Sequence, residues 1–253
     1  MSIVTLVFTL GFVVVAMGIS MWQKLGLQKD LLIAVIRSTV QLLLVGYVLK
    51  MIFDMKSPVY TILMLGLMVV VAALNAKKRG AWITGIFWRL TVAIALTAVV
   101  SLSFMLAVGI IPFTPQYVIT LGGLMIGNAM VISSLFLNRL KSEVRGRRHE
   151  INVLLSLGAT PKQAVRYALK TATKSSMIPT IDTMKTTGLV QLPGIMTGQI
   201  IAGASPVQAV RYQILILFAL LSAAAVTSIT LGLLTYPSLF NTHQQLNVPD
   251  DIV

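Results

Sequence analysis

The chain has 253 residues, 57% of them hydrophobic and 11% charged, with a mean hydropathy of +0.89 and a formal net charge of +13. Soluble domains carry roughly 25% charged residues, so this composition excludes an ordinary water-soluble enzyme and points to an all-α, polytopic membrane domain. Cysteine is absent, which excludes disulfides, thiolate metal sites and thiol chemistry.

A span needs about 20 mostly apolar residues, and seven segments qualify: 2–22, 31–53, 58–75, 87–111, 117–137, 176–203 and 210–236. Little is left for a soluble domain, so residues 1–253 read as a single transmembrane domain. No Lys or Arg precedes span 1, and Trp22-Gln23-Lys24 is a poor cleavage context, so it reads as a retained anchor. Lys24 and Lys29 follow span 1, and Lys77, Lys78 and Arg79 follow span 3. Nine of the twenty Lys and Arg lie between Asn138 and Ser175, after span 5. The alternate loops, Asp54-Met55-Lys56-Ser57 and Pro112 to Gln116, are short and weakly basic. This is the positive-inside pattern of a protein in the cell inner (plasma) membrane, and it makes nucleic acid an unneeded partner. It puts the N-terminus outside and the 138–175 loop in the cytosol. Seven crossings then put the C-terminus in the cytosol. The tail from Pro237 has no Lys or Arg and carries Asp250 and Asp251, so its own charge does not support that side.

In span 2, Arg37 and Gln41 share one helical face. Snorkelling explains the arginine, and a pore-side role is the alternative. In span 5, Asn128 follows Gly122-Gly123-xxx-Gly127, where it suits a helix–helix hydrogen bond or a polar point on a transport route.

The 138–175 loop has a turn at its middle, Leu157-Gly158-Ala159-Thr160-Pro161. Gly158 can end one helix in a left-handed conformation. Thr160 suits the N-cap of the next helix, Pro161 its first turn, and Gln163 a capping box with Thr160. A helix-turn-helix follows. In its second helix, Val165, Ala168, Leu169 and Ala172 form one apolar stripe, and Lys162, Arg166, Lys170 and Lys174 form the opposite one. Like charges at that spacing repel by a few tenths of a kcal/mol per pair. Their counter-charge is membrane lipid phosphate or an acidic rim on a partner protein.

Span 6 is irregular, with Gly188, Gln191, Pro193, Gly194, Met196, Gly198 and Gln199 in close succession. Pro193 removes an amide donor, and broken helices at membrane depth survive where protein or a water-filled cavity satisfies the backbone. Such breaks line transport routes; the alternative is a kinked packing helix using Gly194-xxx-Gly198 for close approach. Asp182 is the single carboxylate inside an expected span, and intramembrane carboxylates are functional candidates. Here it would sit near the cytosolic mouth of a conduit, with Gln199 beyond the break. Lys185 offers a plain ion pair instead. The thirteen methionines are scattered, and thioether metal contacts, if any, centre on Met184 and Met196 against a default of apolar filling. No buried His is available to activate a serine, so no hydrolytic triad is expected.

Glu150 followed by Leu157-Gly158-Ala159-Thr160-Pro161, a basic amphipathic helix and Pro179 resembles the "EAA" loop of ABC-transporter permeases. The run Leu192-Pro193-Gly194-Ile195-Met196-Thr197-Gly198-Gln199-Ile200 and Ala204-Ser205-Pro206 through Gln213 are more specific. With the length and span count, they make the whole chain similar to the FetB-type iron-export permeases, a family that also includes plant aluminium-tolerance permeases. The resemblance implies a homodimeric permease bound to two copies of a separate ABC ATP-binding subunit, exporting iron or another metal cation. It implies ATPase coupling through Glu150, Gly158, Ala159, Thr160, Pro161, Lys162 and Arg166. A metal would meet Asp182, with Met184 beside it. No G-x-x-x-x-G-K-[ST] loop occurs in the chain, so no cofactor is expected on it, and ATP and Mg2+ would be bound by the partner. A secondary transporter or channel without an ATPase is the alternative, since a broken span would serve either.

Overall fold

The computed structural model describes residues 3–55 and 57–247. Lys56, Asp250 and Asp251, used above in the charge argument, lie outside the described residues. By packing, the chain forms two units, residues 1–57 and 58–253.

The first unit is a helical hairpin of α1 (Ile3–Trp22) and α2 (Gln28–Met55). Its turn uses two left-handed residues, Lys24 at φ 51° and Gly26 at φ 70°. Leu25 N–H closes it on the Ser20 carbonyl at 3.0 Å.

The second unit contains α3 (Pro58–Lys77), α4 (Ile86–Ala107), α5 (Pro115–Gly146), α6 (Arg148–Ser156), α7 (Pro161–Ala164), α8 (Arg166–Thr186), α9 (Gly194–Ile201) and α10 (Pro206–Thr235). Helix α5 is central and packs against α3, α4, α8 and α10. Fully buried alanines at 73, 93, 129, 172, 223 and 224 line its contacts and those of its neighbours. Lipid supplies no hydrophobic drive between helices, so small residues that admit close backbone approach hold such a bundle together. One apolar core gathers around Leu90, Phe136, Leu137, Leu140, Ile151 and Leu231, and a second around Leu102, Met105, Leu121, Met125 and Ile216.

Gly122 shows how tight the α3–α4–α5 contact is. A Cβ there would lie 2.5 Å from Leu65 Cδ2 and 3.2 Å from Leu102 Cδ1, whereas at Gly127 it would meet nothing within 4 Å. Gly122→Val is therefore expected to destabilise by about 1–3 kcal/mol through overpacking. Gly127→Ala should be neutral or stabilising, because alanine is the better helix former by about 1 kcal/mol. Melting temperatures in detergent compare the two, and equal shifts would contradict this packing.

The span count differs from the sequence expectation. Among the described residues five helices are long and apolar enough to cross a membrane: Gln28–Met55, Pro58–Gly80, Ile86–Ala107, Pro115–Gly146 and Pro206–Leu239. Within α1 (Ile3–Trp22), Leu10–Trp22 is likewise an apolar segment. Segment 176–203 is not one helix. Helix α8 begins at Arg166, passes Pro179 without ending, and stops at Thr186; residues 187–193 are non-helical, and α9 has eight residues. Pro193 stands at the N-cap of α9 rather than inside a helix. Hydropathy averaged over twenty residues merges these pieces, because the gap residues Leu189, Val190 and Leu192 are themselves apolar.

Candidate functional site

The helix-turn-helix formed by α6, the turn at Leu157–Thr160, α7 and the start of α8, called the hook below, is built from local signals. Gly158 has φ 88°; its N–H donates to the Leu155 carbonyl and the Ala159 N–H to the Leu154 carbonyl, both at 3.0 Å. This paired pattern is the Schellman end of a helix, and it requires the left-handed residue. Thr160 N–H then donates to Gln163 Oε1 at 2.8 Å, and Gln163 N–H to Thr160 Oγ1 at 3.4 Å, completing the capping box. Val165, Ala168 and Ala172 are buried as the apolar stripe demands. Leu157 is 79% exposed at the tip. Sequence reasoning placed it in the motif but not in the site; a large apolar residue beside a left-handed glycine was the signal.

Glu150 serves the hook in a way the sequence did not show. Its Oε2 accepts from Arg147 Nη1 at 2.9 Å, and Arg147 Nε also reaches Glu143 Oε2 at 3.3 Å. The Arg147 guanidinium lies 3.8 Å over the Tyr167 ring. Arg147 thus joins the end of α5, the start of α6 and the first turn of α8. Desolvation opposes its charge, but the hydrogen bonds to Glu150 and Glu143 outweigh it and raise its pKa above the ordinary value.

The C-terminal segment packs at this same end of the bundle. The 3-10 turn Tyr236–Leu239 touches α7. Leu239, Phe240 and Leu246 join the core around Ile151, Leu155 and Val165. Between hook and tail lies a groove of ≈ 740 Å3 whose walls include Asn152, Gly158, Ala159, His243 and Gln245. The tail therefore shares a side with the hook, which its lack of basic residues could not reveal.

The basic stripe does not end with the loop. Lys162, Arg166, Lys170, Lys174, Ile178, Asp182 and Lys185 are all exposed, and all but the first lie on α8. At 100° per residue Lys174, Ile178, Asp182 and Lys185 fall within an arc of about 80° and share one face, while the row winds away from that face toward Arg166 and Lys162. Asp182 Oδ1 and Lys185 Nζ are 3.9 Å apart, with both side chains more than half exposed. Asp182 lies about 24 Å along α8 at 1.5 Å per residue, not at the hook end. Its neighbours Thr180 and Thr183 line a cavity of ≈ 150 Å3 with Asn128, which lies midway along the expected span 117–137. Asn128 Nδ2 donates to the Leu220 carbonyl at 3.1 Å, tying α5 to α10.

Beyond Asp182 the backbone opens. Gly188, at φ 90°, donates to the Gln191 carbonyl at 2.9 Å, while the Gln191 side chain is exposed. Pro193 O accepts from Thr197 N–H at 3.0 Å. Met184, Met196 and Gln199 are half-buried. Neither Gly194 nor Gly198 would bring a Cβ within 4 Å of another atom, so that pair makes no close helix contact within the chain. Arg37 and Gln41 are exposed on α2 in the first unit. Among the described residues no three His, Asp or Glu side chains gather as a metal cage.

Residues 3–240 match the family described as "Uncharacterised protein family (UPF0014)". The chain is 52% identical to the UPF0014 membrane protein YjkA of Bacillus subtilis, over 97% of this chain and 98% of that one. It is 43% identical to the probable iron export permease protein FetB of Escherichia coli, over 96% and 94%. Identity to the protein ALUMINUM SENSITIVE 3 of Arabidopsis thaliana is 34%, over 92% and 86%. No solved structure matches the chain.

Proposed function

The chain belongs to the UPF0014 family of membrane proteins, and from that premise we propose that it is the membrane-spanning permease subunit of an ATP-driven exporter. The exporter is a homodimer of this chain with two separate ATP-binding subunits, and iron or another metal cation is its cargo. The hook and tail face the cytosol of the cell, and the N-terminus lies outside.

The observation that carries this reading is the exposed charged face of α8. It runs from Lys174 through Asp182 to the level of Asn128, where an ionisable group facing lipid costs at least about 2.5 kcal/mol. Pairing with the same helix of a second copy around a two-fold axis covers that face and leaves water between. The hook supplies the link to energy. Its tip is exposed, it is braced to α5 through Arg147, and α7 passes into α8 across the single residue Val165. Movement at the turn is thereby carried along α8 to the break at 187–193.

Hard and borderline cations prefer oxygen donors. Asp182, the threonine hydroxyls beside it and the carbonyls of the break supply them, and one carboxylate per chain makes a weak site that can release its cargo. The iron assignment is supported by the name of the Escherichia coli relative.

Liposome reconstitution tests the proposal. Vesicles holding the chain and its ATP-hydrolysing partner should move Fe2+ only with ATP, and vesicles with the chain alone should hold their gradient. Equal flux without the partner would make the chain a secondary transporter or channel.

A further inference from the structure

A second concavity lies at the end of the second unit opposite the hook. It is a groove of ≈ 510 Å3 between the last turns of α4 and the first half of α10, with Ile110 and Arg211 near one end and Ser222 toward the other. Phe104 and Phe218 wall it and are themselves 65% and 63% exposed, so it opens sideways. Arg211 to Ser222 covers about 16 Å of helix, close to the roughly 15 Å of one leaflet's hydrocarbon.

Arg211 is exposed and has no hydrogen bond or ion pair among the described residues. Thus an uncompensated cation stands at an apolar slot whose length matches a single leaflet.

We propose that this groove seats one acyl chain of an anionic glycerophospholipid from the surrounding bilayer. The headgroup phosphate accepts hydrogen bonds from the Arg211 guanidinium at the membrane edge. The occupant is resident lipid rather than cargo, since the groove is framed by α4 and α10 and neither α8 nor α9 lines it. A guanidinium suits the phosphate because it donates in a planar fork.

The full chain, purified in mild detergent and stripped of lipid, is titrated with phosphatidylglycerol and with phosphatidylcholine and followed by native mass spectrometry. One phosphatidylglycerol per chain is expected, retained at least fivefold better than phosphatidylcholine. Arg211→Gln should abolish that preference, and Ala219→Phe, which fills the slot, should reduce retention of both lipids. Arg211 is exposed and unpaired among the described residues, so its variant should keep the parent melting temperature; should Ala219→Phe fail to fold, Ser222→Phe, at an exposed wall of the same slot, is read in its place. Equal retention by the parent and Arg211→Gln would overturn the proposal. So would efficient inter-chain disulfide formation by Phe218→Cys in membranes, because the groove would then be filled by a second copy of the chain.

Discussion

Gly158→Val is expected to abolish co-purification of the ATP-hydrolysing subunit while the bundle stays folded. The left-handed backbone at φ 88° is the reason. An L-residue there costs roughly 1–2 kcal/mol, and β-branching restricts it further. The space itself is empty, since a Cβ would meet nothing within 4 Å. The strain must therefore be relieved by moving the turn, not the core. That movement carries Leu157 and the Thr160 cap away from the surface they present. Capture of the partner should fall at least tenfold, and its ATP hydrolysis should no longer respond to the permease. Thr160→Ala removes a cap worth about 1 kcal/mol and should give the same defect in milder form. Normal coupling in both variants, measured by co-purification and ATPase assays, would count decisively against a coupling role for the hook.

Asp182→Asn should lower cargo-stimulated ATP hydrolysis by about tenfold and leave basal hydrolysis, dimer assembly and melting temperature unchanged. Magnitudes separate this from a structural role. Asp182 and Lys185 are 3.9 Å apart with side chains 61% and 71% exposed, and such pairs contribute roughly 0–1 kcal/mol. Losing the pair cannot unfold the bundle, so a large functional loss without a thermal shift would come from the carboxylate's contact with cargo. Cysteines at Ile178 and Asp182 should react with a hydrophilic maleimide, while one at the lipid-facing Phe218 should not. A destabilised Asp182→Asn variant rescued by Lys185→Met would make the pair a packing feature. The conduit would then lose its charged ligand.

The hook was legible because its signals are local. Glycine in a left-handed turn and the Thr160–Gln163 box involve residues three to five apart, and their bonds form much as their spacing requires. The charged stripe was half legible. Its members from Lys162 to Lys174 follow helical spacing, but the expected boundary between loop and span at residues 175 and 176 hid its continuation through Asp182 and Lys185. No boundary exists there, since α8 crosses it unbroken. The role of Glu150 was not legible either. Its partner Arg147 is three residues away, but Tyr167, which holds that arginine from above, is separated by a whole helix-turn-helix.

Taken by itself, the sequence determined the class of solvent, the apolar helices and the caps, because each depends on composition or on hydrogen bonds within one turn. Tertiary structure alone decided three things. It split segment 176–203 into α8, a gap and α9, since hydropathy responds to apolar content whether or not the backbone is helical. It raised Asp182 from the hook end to the level of Asn128, because that level depends on which helices pack together. It also laid the tail against the hook. Those contacts join Leu239 and Leu246 to Ile151 and Val165, residues far apart in the chain that no local pattern connects and that meet only because α10 returns the chain to the hook end.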